Sequence, residues 1–525
     1  MTRRTRVLVA GAVATAVGLT AAGMGVANAA TDPPPLAFTL ATPNVVAERY
    51  IWDDDGQAYL YFDLGVNVIA GKDPFEIRAT RKSYADPIVA NQVVVKNGKK
   101  KEVSLPAGMV TGWGGLKDFT KVSIKDAAGA EVANYATDFC PNSWESARTR
   151  RDAPADSPYP RGCAYNPFTL GSVWGIQAGW NASTDSLPAT TELDLADGDY
   201  TATVTLNKIY QDYFKIAEGS SSLKVNLKVR TVEGGKGREA VAAKAKAAQQ
   251  GENTAEAVAV AEHGEHGGQG DADLQVSAYA PEFRPPAKKP KAVRAASIPK
   301  GPRPDLRSLP AWGIELSNED GKTYVNFGAT VWNAGTSPLV VDGFRQTGTD
   351  LMDAYQYFFD AKGKEVGSAE AGTMEWDPRE GHYHWHFTDF AQYNLLAADQ
   401  KQVLHSGKEA FCLVNTDDVD YTIPNAKWRP SNTDLSSSCG QNTAVAVREV
   451  LDIGNGDTYT QDLPGQSFDV TDLPNGTYYI EVKANPSNKL TELSTSNNTA
   501  VRKVILGGTA TERTLEVPAV HGIDG

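Results

Sequence analysis

Short runs of alternating β-branched and aromatic residues, each cut off within about ten residues by Gly, Pro, Asn or Asp, recur along two long stretches of this 525-residue chain. Tyr200-Thr-Ala-Thr-Val-Thr-Leu206 and Tyr478-Tyr-Ile-Glu-Val-Lys483 are examples. A side-chain period of two places alternate residues on one face of a pleated strand, and the frequent breakers leave little length for helices. Residues 36–232 and 303–507 therefore read as all-β, each as an antiparallel β-sandwich. Between them the composition changes to Ala, Gly, Lys and Glu, then to Pro and Lys, with no apolar stripe that could bury a core. The expected organisation is a signal peptide over 1–29, an N-terminal β-rich domain over 30–232, a long disordered linker over 233–302, a second β domain over 303–507 and a tail over 508–525.

Arg3, Arg4 and Arg6 precede an apolar run from Val7 to Val26 and then Ala27-Asn28-Ala29, the order of charge, apolar core and small residues that marks an export signal. Secretion is expected, with cleavage after Ala29 and no membrane span afterwards. Thr2-Arg3-Arg4 also half-matches a twin-arginine signal, so the export route stays open. The chain carries a formal charge of -13, and loss of the signal arginines makes it more acidic still. That argues against nucleic acid as a partner and is compatible with a cationic substrate. The four cysteines fall as two local pairs, Cys140 with Cys163 and Cys412 with Cys439. In an oxidising compartment two local disulfides are expected, each stabilising by roughly 3 kcal/mol in the chain-entropy account.

Three of the seven histidines stand in the run His382-Tyr383-His384-Trp385-His386, whereas residues 30–232 contain none. Strand periodicity puts the three imidazoles on one face and Tyr383 and Trp385 on the other. Neutral imidazole suits copper or zinc, and no thiolate in the motif points to a structural zinc site. In a straight strand the outer two Cα atoms would lie about 13 Å apart, so joint ligation needs a curved or bulged strand, for which Gly381 is well placed.

At this motif the sequence resembles the lysyl oxidase family, whose copper is bound by a His-x-His-x-His run. The likeness continues through Val331-Trp-Asn-Ala-Gly-Thr-Ser337, Lys408-Glu-Ala-Phe-Cys412, Asp457-Thr-Tyr459, Asp472-Leu-Pro-Asn-Gly-Thr-Tyr-Tyr-Ile-Glu-Val482 and the Glu492…Asn497-Asn498 ending. It does not reach residues 36–300. The resemblance implies copper on His382, His384 and His386, and a lysine tyrosylquinone built from Lys408 and Tyr459. It further implies oxidation of a primary amine, either peptidyl lysine or a free amine, to an aldehyde, with dioxygen consumed and ammonia and hydrogen peroxide released. Asp389, three residues beyond His386, is the candidate base, with Asp420 and Tyr421 as further candidates.

The family's calcium pattern maps onto Asp305, the Leu306 carbonyl, Glu492, Asn497 and Asn498. Ser494 stands where a second acid would be, which removes one charged ligand. The multi-disulfide frame of the animal enzymes is absent, leaving tertiary packing, with Tyr383 and Trp385 as contributors, to hold the site. Two other readings stay open: a secreted copper- or zinc-binding module without a quinone, and a non-enzymatic wall or matrix β-sandwich protein. Neither the substrate nor the role of the N-terminal region is legible in the residues.

Overall fold

The computed structural model describes residues 35–51, 58–96, 98–184, 193–217, 220–232, 289–291, 293–294, 297–346, 348–378, 383–388, 390–406, 410–430, 439–509 and 512–523. The expected signal, most of the expected linker, and His382, Asp389 and Lys408 lie outside the described residues. The described chain is built from β-strands in several sheets with one short helix among the described residues, Lys208–Phe214, capped by Asn207.

In the N-terminal region the alternation in Gly198–Leu206 buries Ala202, Val204 and Leu206. This strand pairs antiparallel with Leu116–Asp126 on one side and Ser222–Val232 on the other. One pairing departs from the antiparallel expectation, because Ser222–Val232 runs parallel to Asn44–Ile51. Facing strands include Gly171–Ile176 on Phe75–Thr80, and an apolar core containing Trp174, Phe119 and Tyr210 lies within the region. Cys140 and Cys163 are bridged.

The C-terminal region stacks three sheets. The first runs Leu306–Ser308, Lys322–Asn333, Asn455–Tyr459, Asp417–Asp418. The second runs Ala410–Phe411, His384–Thr388, Glu365–Asp377, Leu351–Phe359, Leu339–Arg345, Ala446–Leu451. The third is centred on Gly476–Ala484 between Ala391–Leu396 and Thr499–Gly508. Phe327, Trp385, Phe387, Tyr393 and Phe411 fill the space between them. The end of the stretch read as linker packs here too: Ile298 is buried with Phe358 and Ala369, and Val293 N donates to Ser368 O.

The two regions meet along a buried junction that nothing in the sequence announced. Leu170 N donates to Val419 O and Tyr421 N to Gly171 O, both at 2.8 Å. Phe168 packs with Leu309, Trp332 and Val419, while Tyr159 and Val173 pack with Tyr421. The approach is close enough to demand glycine at Gly171, where an added Cβ would come within 2.4 Å of Asp420 Oδ1 and Thr422 Oγ1.

Candidate metal and tyrosine site

His384 and His386 lie on the strand His384–Thr388, which pairs with Glu365–Asp377 in the register Asp377↔His384 and Glu375↔His386. Both imidazoles are buried and their Nε2 atoms stand 2.8 Å apart. His386 turns its Nδ1 towards Asp377 Oδ2 at 3.4 Å, a contact that fixes the ring and directs Nε2 to the other histidine. Trp385 points to the opposite face as strand periodicity requires. It is wholly buried, packs edge-on against Trp376 and donates from Nε1 to Gln441 O.

Tyr383 does not join that packing, since it is 49% exposed. Its φ of 33° lies in the left-handed region that side chains rarely adopt, so the backbone leaves the extended form immediately before His384. The backbone therefore turns at Tyr383, two residues beyond Gly381, the position where the sequence placed the bend and which lies outside the described residues. Among the described residues, no group of three or more His, Cys, Asp or Glu side chains is placed to hold an ion.

Beyond the histidines, His384–Thr388 pairs with Ala410–Phe411 through Phe387↔Phe411 and Thr388↔Ala410. The next residue, Cys412, is bridged to Cys439, and Cys439 O accepts from Trp385 N. Tyr459 reaches this same segment from the strand Asn455–Tyr459. Its hydroxyl accepts from Cys412 N at 3.0 Å and donates to Cys412 O at 3.2 Å, and its ring meets Phe411 edge-on with centroids 5.1 Å apart. One backbone segment, beginning two residues after Lys408, therefore joins the histidine strand to Tyr459. Nothing in the fifty-one-residue spacing of Lys408 and Tyr459 requires that.

Two buried acids beside Tyr459 were not singled out from the sequence. Desolvation, then the Asp457 carboxylate, hold the Tyr459 hydroxyl well above its ordinary pKa, with Tyr393 and Glu449 adding to the effect. Glu449 is fully buried and accepts from Leu413 N at 3.0 Å, and its Oε1 has no hydrogen-bond partner among the described residues. Burial pushes its carboxyl well above the usual range, and Asp457 pushes it further. The available signal was Arg448-Glu449 within the otherwise apolar strand Ala446–Leu451. Alternation sends Arg448 to Asp342, with bonds of 2.5 and 2.7 Å, and sends Glu449 to the opposite face, where no basic partner stands among the described residues. Of the further base candidates, Tyr421 lies at the junction and donates to Asn455 Oδ1, and Asp420 accepts from Thr422.

The residues mapped to calcium also come together. Leu306 N donates to Glu492 Oε2, Asn498 Nδ2 to Glu492 Oε1, and Asn497 Nδ2 to Asp305 Oδ2. Asp305 Oδ1, Asn497 Oδ1 and Asn498 Oδ1 are buried with no hydrogen-bond partner among the described residues. Arg307 occupies the other Asp305 oxygen at 2.9 Å.

The described C-terminal region is thus an all-β domain in which a buried histidine pair and a backbone-clasped tyrosine share one connecting segment. Within it, residues 354–514 match the family model for lysyl oxidase. Similarity extends to protein-lysine 6-oxidase of Sus scrofa, 33% identical over 125 residues, covering 23% of this chain and 44% of that protein. Lysyl oxidase homolog 4 of Mus musculus is 30% identical over 130 residues, 25% of this chain and 15% of that protein. The human protein-lysine 6-oxidase is 32% identical over 125 residues, 23% of this chain and 26% of the relative. The chain spans less than half the length of each of these relatives. No helix among the described residues is long and apolar enough to cross a membrane.

Proposed function

We propose that the protein is a secreted copper- and quinone-dependent amine oxidase, converting primary amines, peptidyl lysine or free amines, to aldehydes with release of ammonia and hydrogen peroxide. The observation that carries this reading is the clasp of the Tyr459 hydroxyl by Cys412 N and O, on the segment that follows Lys408 and pairs with the histidine strand.

The donors present fit copper. Two buried imidazoles converge through Nε2 at a 2.8 Å separation, compatible with two ligands each about 2.0–2.1 Å from one ion. His382 is the third ligand in this reading. When bound, copper would supply, with dioxygen, the oxidation of the Tyr459 ring to a quinone, and Lys408 would supply the amine of a lysine tyrosylquinone. The chain's own residues do the rest. Asp377 orients His386, the Cys412 backbone fixes the position of Tyr459, and the Phe411 edge shields its ring. Burial favours the protonated form of the Glu449 carboxyl beside Tyr459, and Asp389 remains the base suggested by the sequence. Calcium fits the Asp305, Leu306, Glu492, Asn497 and Asn498 cluster through its buried oxygens that lack partners among the described residues, a site weakened by Arg307 and by Ser494.

The test is amine-dependent peroxide release by the copper-loaded, signal-cleaved protein, alongside Tyr459→Phe. Release from the parent and only background from the variant is expected. Stoichiometric copper with no peroxide from the parent points to a metal-binding module. Unchanged partner binding after replacing His382, His384 and His386 together points to a wall or matrix scaffold.

A further inference from the structure

The N-terminal region offers no imidazole, yet one of its side chains is built into the polar network that holds the Tyr459 strand. Asn166 is fully buried. Its Oδ1 accepts from Phe168 N at 2.9 Å, closing a local turn. Its Nδ2 spends both hydrogens across the junction, on Thr330 Oγ1 at 2.9 Å and Asp417 Oδ2 at 2.8 Å.

The same Asp417 oxygen accepts from Thr458 Oγ1 at 3.1 Å, and the Thr330 and Thr458 hydroxyls are 2.8 Å apart. Each threonine has a single hydroxyl hydrogen. Thr458 gives its hydrogen to Asp417, so Thr330 must give its own to Thr458, and Thr330 must then accept from Asn166. The hydrogens close a ring of four residues in which only Asn166 contributes two donors and only Asp417 none. Thr330, Asp417 and Thr458 are at most 4% exposed, so no water readily replaces a lost donor. Asp417 Oδ1 has no partner among the described residues, which concentrates the demand on Oδ2.

Thr458 adjoins Tyr459, and its own backbone N–H is held by Thr416 Oγ1 at 2.8 Å. On one edge the Tyr459 strand pairs with Lys322–Asn333 from Trp332↔Gly456 to Ala329↔Tyr459, but on the other only Asp417↔Gly456 and Asp418↔Asn455 pair, so side chains carry the contact on that edge. Ser172 Oγ repeats the contact one residue on, donating to Asp418 Oδ2 at 2.6 Å. We propose that Asn166 is a positioning residue for Tyr459, acting through Asp417 and Thr458, and that the N-terminal region is thereby a permanent part of the C-terminal site rather than an appended binding module.

The placement claim stands on geometry; its consequence for turnover rests on the amine oxidase reading. The experiment uses the full chain with Asn166→Asp, Asn166→Ala and, as a junction control, Trp428→Ala. Trp428 stacks on Tyr159 and donates to Tyr421 O on another part of the same interface. Asn166→Asp keeps the volume and the Oδ1 acceptor for Phe168 N but leaves at most one donor, the hydroxyl of a protonated carboxyl, and sets a second carboxyl against Asp417, so it perturbs the hydrogen bonds at constant volume and serves if Asn166→Ala does not fold.

Amide exchange across residues 455–460 should accelerate about tenfold in Asn166→Asp, as expected for loss of a hydrogen bond to a buried carboxyl. The quinone absorbance per copper and kcat should fall with KM unchanged, and Trp428→Ala should lower the melting temperature without either change. Parent-like exchange in Asn166→Asp, or the same acceleration in Trp428→Ala, overturns the proposal. Exchange needs no oxidase activity, so a parent that releases no peroxide sinks the oxidase reading while the exchange data still judge Asn166.

Discussion

The two regions invest their buried polarity differently. Among the described residues of the N-terminal region, Glu76 is the one buried carboxyl, and it is met by Arg78, Lys100 and Tyr159. The C-terminal region buries Asp342, Asp377, Asp417, Asp418, Glu449 and Asp457, among others. Burying a carboxyl costs free energy unless donors or a cation compensate it, so such groups persist where a structure uses them. The N-terminal region reads as a scaffold, and several of its buried polar side chains, Asn166, Thr169 and Ser172, face the other region.

That division can be tested most strongly at the histidine pair. Asp377→Asn should weaken copper binding by about 10–100-fold, the usual cost of losing a partner that orients a ligand, as measured by competition with a chelator of known affinity. Unchanged affinity would mean that Asp377 belongs to the packing and not to the metal site.

The buried junction acids give a pH signature. Burial raises Asp417 to about 6, against donors from Asn166 and Thr458 that lower it. Asp418 is raised well beyond its ordinary value by burial and by Asp417. Tyr421 beside them stays neutral, its hydroxyl pushed up by burial and by Asp418, Asp417 and Asp452, and burial raises Asp452 to about 6 as well. Because the folded pKa lies above the unfolded one, the folded chain binds the proton more tightly. The contribution to stability is full below about pH 4 and is lost as pH rises through about 6. Unfolding in denaturant should therefore show about 2 kcal/mol less stability at pH 7 than at pH 4 from Asp417. Asp417→Asn should make that slope shallower by the Asp417 share, with Asp418 and Asp452 supplying the rest, and an unchanged slope would place the titration elsewhere.

The smallest expected effect lies in the N-terminal region. Glu76→Gln should cost about 1–2 kcal/mol of stability by weakening charged hydrogen bonds, with peroxide release per bound copper unchanged. A change in turnover would show that the division between scaffold and site extends less cleanly than the buried groups suggest.

Much of the architecture was legible because it follows from local rules. Period-two alternation marked strands such as Gly198–Leu206 and Gly476–Ala484, and the sequence proximity of the cysteines matched both bridges. The placement of His384 and His386 on one face with Trp385 opposite followed from the same alternation. Less could be read where one side chain depends on a distant segment. Tyr383, expected to help the packing, is exposed because the chain leaves the extended form there. Glu449 was hidden because an acid in a strand is ordinarily a solvated face, and only the Asp342 partner of Arg448 reveals which way Glu449 points.

By itself the sequence determined the all-β class, the paired cysteines, the imidazole cluster and the resemblance that singles out Lys408 and Tyr459. These depend on residue type and short spacing, which fix strand faces and ligand chemistry without knowledge of the fold. Only the tertiary structure decided that Tyr459 is clasped by Cys412, that Glu449 and Asp457 stand near it, and that Asn166 reaches Asp417 from 251 residues away. Such contacts depend on how sheets stack and regions dock, and a period of two along a strand carries no information about which other strand it will meet.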